Sequence, residues 1–306
     1  MGSSDVPSLA GGMVMRWGRI VDHLQRYCFC VDSMGLLDWI HRHNLKAIFS
    51  FLRYRVSPAI LQKALDSEGT LDEIGRRYAL GVSMLKIGRI YKTTGLKRTT
   101  LAHEAVFRLA QQADCPSLME IGVSDGCSAL PILSEVDRFR RIILTDRFTR
   151  FYVRAFPGGQ LYLDGEQRRH GVKFLCFYFF LNPIHVLDVS SFTVLDVINP
   201  ILQKRYKIYQ VVKFDMFTDT LDSPVDIIKC SNILNDVYFS EEEIHNAIYH
   251  LAYSLKDGGH IVISQNNDSY KDGEAVLVLK KQGSSLLIVE SLNGHTAANM
   301  FDCNVE

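Results

Sequence analysis

The chain has 306 residues, 47% of them hydrophobic and 10% aromatic, so it can bury one large core and a smaller second core. Its formal net charge is zero, although the first 115 residues carry 16 lysines and arginines against 10 acidic residues, and the remainder carries 18 against 24. This basic excess fits either solvated helix faces or an anionic partner or membrane surface, but no dense basic patch with interleaved aromatic residues is present, which disfavours nucleic acid as a partner.

The first part of the chain predicts helices. Apolar residues recur at helical spacing from about 13 to 56, and Ser57 followed by Pro58 predicts a helix start. Thr70 and Glu73 have the spacing of a capping box, and a further helix is predicted over about 83–92. We therefore expect residues 1–112 to form a helical cap, with dimerisation as a hypothesis, and residues 113–306 to form a second domain. A helix over 99–114 is expected to lead directly into the sheet of that domain.

A buried strand that breaks into a glycine-bordered turn is the most informative feature of the sequence. It occupies residues 118–126. Gly122 and Gly126 allow a ligand to approach the backbone, and a helix opening near Cys127 offers unpaired N–H donors. Glu120 lies at the tip of the strand, where its carboxylate can face a cationic or hydroxylated ligand. These features indicate a site for a nucleotide-like ligand.

Further apolar segments predict the rest of a parallel sheet. They lie at 141–146, 209–215, 225–230 and 260–264. The first ends at Asp146, which is 20 residues beyond Gly126, the distance at which dinucleotide-binding folds place a carboxylate against ribose hydroxyls. The second ends at Asp215. A helix is predicted over 240–255, followed by a glycine turn.

The segment at about 149–207, between the second and third predicted strands, is an apolar insert. Residues 174–181 are eight consecutive apolar residues, four of them phenylalanine. Such a segment can line a hydrophobic substrate pocket, contact a membrane surface, or form a helical hairpin buried against the N-terminal cap. The helical hairpin is the favoured interpretation.

The end of the chain predicts an antiparallel hairpin. Residues 274–281 and 285–290 are rich in strand-forming residues and are separated by Gln282, Gly283 and Ser284. The predicted fold class is therefore α/β, a Rossmann-like doubly wound sheet with a terminal antiparallel hairpin, plus an N-terminal helical domain.

Together, these motifs resemble those of the class I S-adenosylmethionine-dependent methyltransferases. The similar parts are the Glu-x-Gly-x-x-x-Gly turn at 120–126, the acids at 146 and 215, a Leu-Lys-x-Gly-Gly turn at 255–259, and residues 226–234, which are similar to the fourth motif of chemotaxis-receptor-type methyltransferases. The resemblance covers roughly residues 100–295. Ser124 stands where such families usually carry a glycine.

The resemblance implies S-adenosylmethionine as the cofactor and assigns residues to it. The implied cofactor-binding residues are Glu120, Gly122, Ser124, Gly126, Asp146, Arg147, Asp215, Met216 and Cys230. The implied catalytic residues are Asn232, Asp236 and Tyr238, at the edge that faces the transferred methyl group. His170, His185 and His245 are weaker candidates for a general base.

Cysteine usage and targeting signals bear on the compartment. The seven cysteines lie at 28, 30, 115, 127, 176, 230 and 303, which fits neither a disulfide framework nor a zinc site, so no metal is expected. The N-terminus lacks the order of a secretion signal, and no apolar run approaches the roughly 20 residues of a spanning helix. We expect a cytoplasmic protein, with peripheral membrane contact left open.

The favoured function is a methyltransferase that acts on O or N of a small, hydrophobic or lipid-like acceptor, because the insert is so aromatic. One alternative is a non-catalytic cofactor-binding or scaffold protein that has the same fold. The other is an NAD-dependent dehydrogenase, which would share the first turn and Asp146. That alternative requires a third glycine at Gly-x-Gly-x-x-Gly spacing, which the sequence does not supply.

Overall fold

The computed structural model describes residues 28–45, 48, 52, 55–87, 90–92, 99–206, 209–235 and 238–300. The α-helices in these ranges are α1 (Met34–Arg42), α2 (Ala59–Leu65), α3 (Leu71–Ser83), α4 (Thr100–Gln111), α5 (Leu130–Leu133), α6 (Pro200–Arg205) and α7 (Glu241–Tyr253). The strands are β1 (Cys28–Phe29), β2 (Lys86–Ile87), β3 (Ile90–Tyr91), β4 (Ser117–Ile121), β5 (Arg141–Asp146), β6 (Arg150–Phe156), β7 (Gly159–Leu163), β8 (Arg169–Phe174), β9 (Phe177–Phe180), β10 (Thr193–Asp196), β11 (Tyr209–Lys213), β12 (Val225–Ser231), β13 (Leu255–Asn266), β14 (Glu274–Gln282) and β15 (Ser285–Leu292).

The larger sheet has seven strands in the order β11-β5-β4-β12-β13-β14-β15. The first five run parallel, and β14 and β15 form an antiparallel hairpin at the end. This arrangement confirms the predicted Rossmann-like fold class. The chain moves outward from β4 to β5 and β11 and then returns to the other side of β4 with β12, so the strand order reverses between β4 and β12. Ligands of doubly wound sheets bind at the carboxyl ends of the strands beside such a reversal.

Both faces of the larger sheet are covered by helices. One face carries α4, whose Ala105 and Val106 share a hydrophobic cluster with Leu118 of β4. The other face carries α7, whose Ile248 shares a second cluster with Met119. Because these strands are buried on both sides, their sequences are nearly continuous apolar runs.

The helices on the two faces begin in different ways. Ser240 Oγ accepts a hydrogen bond from Glu243 N at 3.2 Å, and Glu243 Oε2 accepts one from Ser240 N at 2.8 Å, which is a capping box at the start of α7. The start of α4 is capped from β14, because the Glu274 carboxylate accepts hydrogen bonds from Leu101 N at 2.9 Å and Ala102 N at 3.3 Å. Glu274 thereby ties the terminal hairpin to α4. Burial raises the pKa of Glu274 despite these two hydrogen bonds.

A second sheet has six strands in the order β1-β9-β8-β7-β6-β10, and all of its pairings are antiparallel. Its strand β6 follows β5 after only three intervening residues, so the chain passes directly from one sheet into the other. One face packs on α1, α2 and α3. Phe151 of β6 lies there in a cluster with Leu37 and Ile60.

The helical hairpin predicted for the insert is wrong, because the insert contains most of the second sheet. Tyr178 of β9 is buried, whereas Phe177 and Phe179 point to the opposite, more exposed face, as successive residues of a strand must. A run of eight apolar residues shows neither a helical nor a strand period, and its length is compatible with both. Its aromatic residues favour a strand.

The N-terminal helices are confirmed in part. The helix after Pro58 is α2, and α3 starts with the predicted capping box between Thr70 and Glu73. The helix predicted over 83–92 is wrong, because α3 ends at Ser83 and the two-stranded β2–β3 hairpin follows. The sequence there places Gly88 between isoleucines, and glycine is unfavourable inside a helix while isoleucine favours strands.

The helix expected over 99–114 is confirmed as α4. The division of the chain at residue 112 and the dimerisation hypothesis stay predictions, and residues 13–27 lie outside the described residues. None of the helices in the described part of the chain has the length and hydropathy that crossing a bilayer requires.

Candidate functional site

Three acids lie at the carboxyl ends of adjacent strands in the larger sheet. Glu120 is the second-to-last residue of β4, Asp146 is the last residue of β5, and Asp215 lies two residues after the end of β11. The register pairs Glu120 with Leu144 and Lys213 with Asp146, so the three positions share one edge of the sheet. This edge adjoins the reversal of strand order, where a ligand is expected.

The glycine-bordered turn after β4 is joined directly to Asp146. Ser124 N donates a hydrogen bond to Asp146 Oδ2 at 2.9 Å, and Phe148 N donates one to Oδ1 at 2.8 Å. Gly122, Ser124 and Gly126 all have positive φ angles, of 64°, 58° and 84°. The left-handed backbone at these positions turns the loop back over the end of β5.

A side-chain contact also fixes the far side of the turn. Asp125 is buried, and its Oδ1 accepts a hydrogen bond from Cys127 N at 3.1 Å. Its Oδ2 accepts one from Asn199 Nδ2 at 2.9 Å, and Asn199 is the N-cap of α6. The turn after β4 is therefore attached to the segment that follows the second sheet, a contact that the sequence does not predict.

Glu120 forms a buried ion pair with Lys229 of the neighbouring strand β12. Lys229 Nζ lies 2.7 Å from Glu120 Oε1, which also accepts a hydrogen bond from Ser128 Oγ at 3.1 Å. Both charged side chains are almost completely buried. Glu120 Oε2 is buried as well and has no hydrogen-bond partner among the described residues. One carboxylate oxygen therefore has unused hydrogen-bonding capacity.

His103 of α4 lies near this ion pair, since the charges of Lys229 and Glu120 both act on it. Burial and, to a smaller extent, the positive charge of Lys229 lower its pKa to about 4, against the opposing effect of Glu120. Its Nε2 lies 3.4 Å from Thr99 Oγ1. His103 is therefore neutral near neutral pH.

Asp146 forms a second buried ion pair, with Lys92. Lys92 follows the β2–β3 hairpin, and its Nζ also donates a hydrogen bond to Phe148 O at 3.1 Å. Its own carbonyl oxygen accepts a hydrogen bond from Ser124 Oγ at 3.1 Å. The end of the hairpin therefore covers the predicted ribose-binding acid and the turn after β4 together.

Asp215 has a cation of its own, Arg147. Arg147 Nη1 lies 3.3 Å from Asp215 Oδ2, and Arg147 Nε donates a hydrogen bond to Glu166 Oε1 at 2.9 Å. Burial lowers the pKa of Arg147, but the hydrogen bond to Glu166 and the charge of Asp215 outweigh it and raise that pKa. Arg147 thus links β11 to the turn between β7 and β8.

The space beside Gly122 is filled by the chain itself. A Cβ atom at Gly122 would lie 1.7 Å from Ile233 Cδ1, so the isoleucine that follows β12 rests on the glycine backbone. At Gly126 a Cβ atom would lie 2.6 Å from Leu202 Cδ2. In this conformation, Ile233 and Leu202 occupy the space that side chains at Gly122 and Gly126 would otherwise fill.

Two predicted cofactor-binding residues lie in the hydrophobic core. Met216 and Cys230 belong to the cluster beneath α7, on the face of the sheet opposite Glu120 and Lys229. Burial raises the pKa of Cys230 to about 12, so its thiol stays protonated near neutral pH. Their roles toward a cofactor stay predictions.

The predicted catalytic residues follow β12. Asn232 has a φ of 61°, and its Nδ2 donates to Asn266 Oδ1 at 2.7 Å while its Oδ1 accepts from Asn266 N at 2.7 Å. Its amide is therefore already engaged. The Tyr238 ring lies 6.4 Å from the Phe239 ring, and Asp236 lies outside the described residues.

The weaker general-base candidates are not gathered at this edge. His170 is in β8 of the second sheet, where burial lowers its pKa to about 4. His185 forms an isolated bridge with Arg168, next to the same sheet. The His245 ring lies 4.7 Å from the Tyr249 ring on α7.

Lys229, Lys92 and Ile233 are the residues of the site that the sequence interpretation missed, whereas Arg147 was among the predicted residues. A lysine inside the apolar run 225–230 is a usable signal, because a charge in a doubly covered strand must be paired. Lys92 and Ile233 give no such signal, since their contacts depend on segments distant in sequence.

No protein-family model matches the sequence, and no curated protein sequence matches it. Among solved structures, the N-methyltransferase NodS from Bradyrhizobium japonicum WM9, in complex with S-adenosyl-L-homocysteine, is 13% identical at a TM-score of 0.32, and the alignment covers 55% of this chain and 62% of that chain. The match therefore spans less than two thirds of that enzyme.

Two further similar structures are methyltransferases. The S-adenosylmethionine-bound amino pentose methyltransferase from Micromonospora echinaspora is 11% identical over 71% of each chain, with a TM-score of 0.34. An S-adenosylmethionine-dependent methyltransferase from Clostridium acetobutylicum is 8% identical over 68% of this chain and 79% of that chain, with a TM-score of 0.36. At these identities and TM-scores the alignments carry no inference about a cofactor or an acceptor.

Proposed function

We propose that this protein is an S-adenosylmethionine-dependent methyltransferase. The proposal is carried by one observation, the convergence of Glu120, Asp146 and Asp215 at one sheet edge, with the glycine-bordered turn hydrogen-bonded to Asp146. A carboxylate at a strand end beside a left-handed turn can accept hydrogen bonds from ribose hydroxyls, and a buried carboxylate favours a cation.

The residues present fit the donor in part. Glu120 Oε2 is buried and lacks a partner among the described residues, so it can accept a hydrogen bond from the ammonium group of the donor's amino acid end. Both oxygens of Asp146 are engaged, one by Ser124 N and the other by Phe148 N and Lys92. Ribose hydroxyls therefore require Lys92 to move away. Ile233 must also leave the surface of Gly122.

In methyl transfer, the protein's main task is to align the acceptor atom with the methyl group. The acceptor's oxygen or nitrogen attacks the methyl carbon in line with the breaking carbon–sulfur bond, whose electrons remain on sulfur, and the acceptor loses its proton. Tyr238 follows β12 at the strand-order reversal, where it can hydrogen-bond to the acceptor, and Asn232 can offer the acceptor the second hydrogen of its amide, since the first is donated to Asn266. Asp236 is the carboxylate among the candidates. The apolar insert supports a hydrophobic or lipid-like acceptor.

A non-catalytic protein with the same fold is the second candidate, and a specific observation favours it. Each of the three acids already has a cation from the chain, namely Lys229, Lys92 and Arg147. Internal cations of this kind can replace a ligand permanently. The two candidates differ in whether Lys92 can be displaced.

Calorimetric titration with S-adenosylhomocysteine tests the proposal. We expect micromolar binding to the native chain and a roughly tenfold or greater loss of affinity in Asp146→Asn, because a hydrogen bond to a charged group is lost. Lys92→Met should bind roughly tenfold more tightly, since the open site no longer competes with an ion pair.

The matched control is Asp226→Asn. Asp226 is a carboxylate at the opposite edge of the same sheet, where it is paired with Lys256 at 2.8 Å, so this variant should bind like the native chain. Absence of binding to both the native chain and Lys92→Met would overturn the proposal in favour of the non-catalytic candidate. Stabilisation by NAD without any response to S-adenosylhomocysteine would instead indicate a dehydrogenase.

A further inference from the structure

Among the described residues, helices cover one face of the second sheet and leave its other face open. Directly paired residues of antiparallel strands point to the same side, so the register places Phe156, Phe174 and Phe177 in one row across β6, β8 and β9. Arg154 and Phe179 lie on the same side. Val194 of β10 also lies there, because it pairs with Tyr152 of β6, which is two residues before Arg154. We call these six residues, Arg154, Phe156, Phe174, Phe177, Phe179 and Val194, the open face.

The open face is most exposed at two adjacent hairpin tips. Phe156 lies at the β6–β7 tip with 38% of its surface exposed, and Phe174 at the β8–β9 tip with 46%. Leu175, at the turn between β8 and β9, is 65% exposed. Large apolar side chains grouped at one end of a sheet in this way mark an interaction site rather than scattered surface residues.

The two hairpins of this region carry basic residues and no acids, and Asp196 of β10, paired with Arg150, lies at the end of the sheet away from the hairpin tips. Residues 147–163 and 169–187, which contain both hairpins, have no aspartate or glutamate and hold four arginines and a lysine. Lys173 is paired with Asp32 on the covered face. Arg154 and Arg169 have no ion pair within the described ranges, and the Arg154 guanidinium lies 4.9 Å from the Phe192 ring. The acids of the meander, Asp164 and Glu166, are in the turn at its other end.

The position of Arg154 argues against a second copy of the chain as the occupant. Two open faces packed against each other about a twofold axis would bring the arginines of both copies into the apolar interface. Desolvation and like-charge repulsion would then oppose association. At a lipid surface, the arginine can instead extend its guanidinium to a phosphate while its stem stays in apolar surroundings.

We propose that the open face docks on an anionic lipid bilayer. Phe156, Phe174 and Leu175 enter the interfacial layer at the hairpin tips, and Arg154 contacts lipid phosphates. Aromatic and leucine side chains supply the buried apolar area, and the absence of acids from both hairpins avoids repulsion by the negative surface. The proposal does not depend on the proposed function.

Co-sedimentation with vesicles tests this docking. The full chain should bind vesicles of phosphatidylcholine mixed with phosphatidylglycerol, and bind phosphatidylcholine alone more weakly. Phe174→Ser/Leu175→Ser should bind both kinds of vesicle roughly tenfold more weakly, because two apolar side chains no longer enter the bilayer. Arg154→Gln should weaken binding only to the mixed vesicles, by about fivefold.

The matched control is Leu287→Ser/Val289→Ser, which changes two residues of β15 that are 47% and 51% exposed at the edge of the larger sheet. This variant should bind vesicles like the native chain. Failure of the native chain to bind, or equal binding by the hairpin-tip variant, overturns the proposal. A lower mass of the hairpin-tip variant in light scattering, without loss of vesicle binding, would identify a second copy as the occupant and would also overturn it.

Discussion

Two ion pairs at the same edge of the larger sheet differ in how they are held. Glu120 and Lys229 are on adjacent strands, and both side chains are almost completely buried. Arg147 and Asp215 lie after neighbouring strands, and 45% of the Arg147 side chain is exposed. The first pair is part of the core, whereas the second is partly hydrated. Two charges at the same edge of the sheet can therefore contribute differently to stability, and burial decides how much each contributes.

The Lys92–Asp146 pair combines features of both. It is buried, as the Glu120–Lys229 pair is, but its cation comes from a hairpin outside the sheet. Lys92 lies outside the strands of the larger sheet, whereas Lys229 is an interior residue of β12.

Among the substitutions that test this difference between the ion pairs, Lys229→Met is expected to lower the free energy of unfolding most. The change leaves the Glu120 carboxylate buried without its cation, which should lower the free energy of unfolding by about 3–5 kcal/mol. Denaturant unfolding measures this loss. Lys256→Met is the control, because its partner Asp226 is 30% exposed, and its cost should be below about 1 kcal/mol. Equal losses in the two variants would contradict the importance of burial.

An intermediate effect is expected from pH, through His103. Its pKa is about 4 in the folded chain, against 6.5 for an ordinary histidine, because burial and the Lys229 charge disfavour the imidazolium. The unfolded chain therefore takes up a proton first, and stability falls as the pH drops from 6.5 through 4, by roughly 2–3 kcal/mol in total.

The variant His103→Gln isolates this contribution. His170 and His295, whose pKa values burial also lowers to about 4, remain in the variant and continue to lower its stability in acid. We therefore expect the variant to lose less stability than the native chain over this pH range in urea unfolding. Parallel pH profiles for the two proteins would show that His103 does not contribute.

The smallest effect is expected from Arg147→Gln. The arginine side chain is exposed to water where it pairs with Glu166 and Asp215. Its removal should therefore lower the free energy of unfolding by less than about 1 kcal/mol. Added salt should reduce the difference between the variant and the native chain further, because solvent-exposed charges are screened. A loss as large as that of Lys229→Met would remove the distinction between the two pairs.

Much of the larger sheet could be predicted from the sequence because its signals are local. Apolar runs, glycine turns and the capping box at Ser240 each occupy a few consecutive residues, and parallel order follows from their alternation with helices. The second sheet could not be predicted in the same way. Its strands are shorter, and the run 174–181 is apolar on both its covered and its open side, which hides the period of two.

The candidate site was predictable for its acids and not for their partners. Glu120, Asp146 and Asp215 can be recognised in the sequence because each lies at the end of an apolar run, and Glu120 is also followed by the glycine-bordered turn. Lys92 reaches Asp146 across 54 positions in sequence and Lys229 reaches Glu120 across 109, and no spacing rule specifies such contacts. The role of Ile233 could not be predicted from the sequence either, because its contact with Gly122 depends on the path of the chain after β12.

Gly122 is subject to two separate requirements. Its φ of 64° disfavours any residue with a side chain, and Ile233 occupies the place of a Cβ atom. Shortening Ile233 to alanine would meet only the second requirement, since the backbone angle belongs to position 122 itself. No compensating substitution elsewhere can therefore make alanine as acceptable as glycine there, and the position is fixed by the path of the main chain before any ligand is considered.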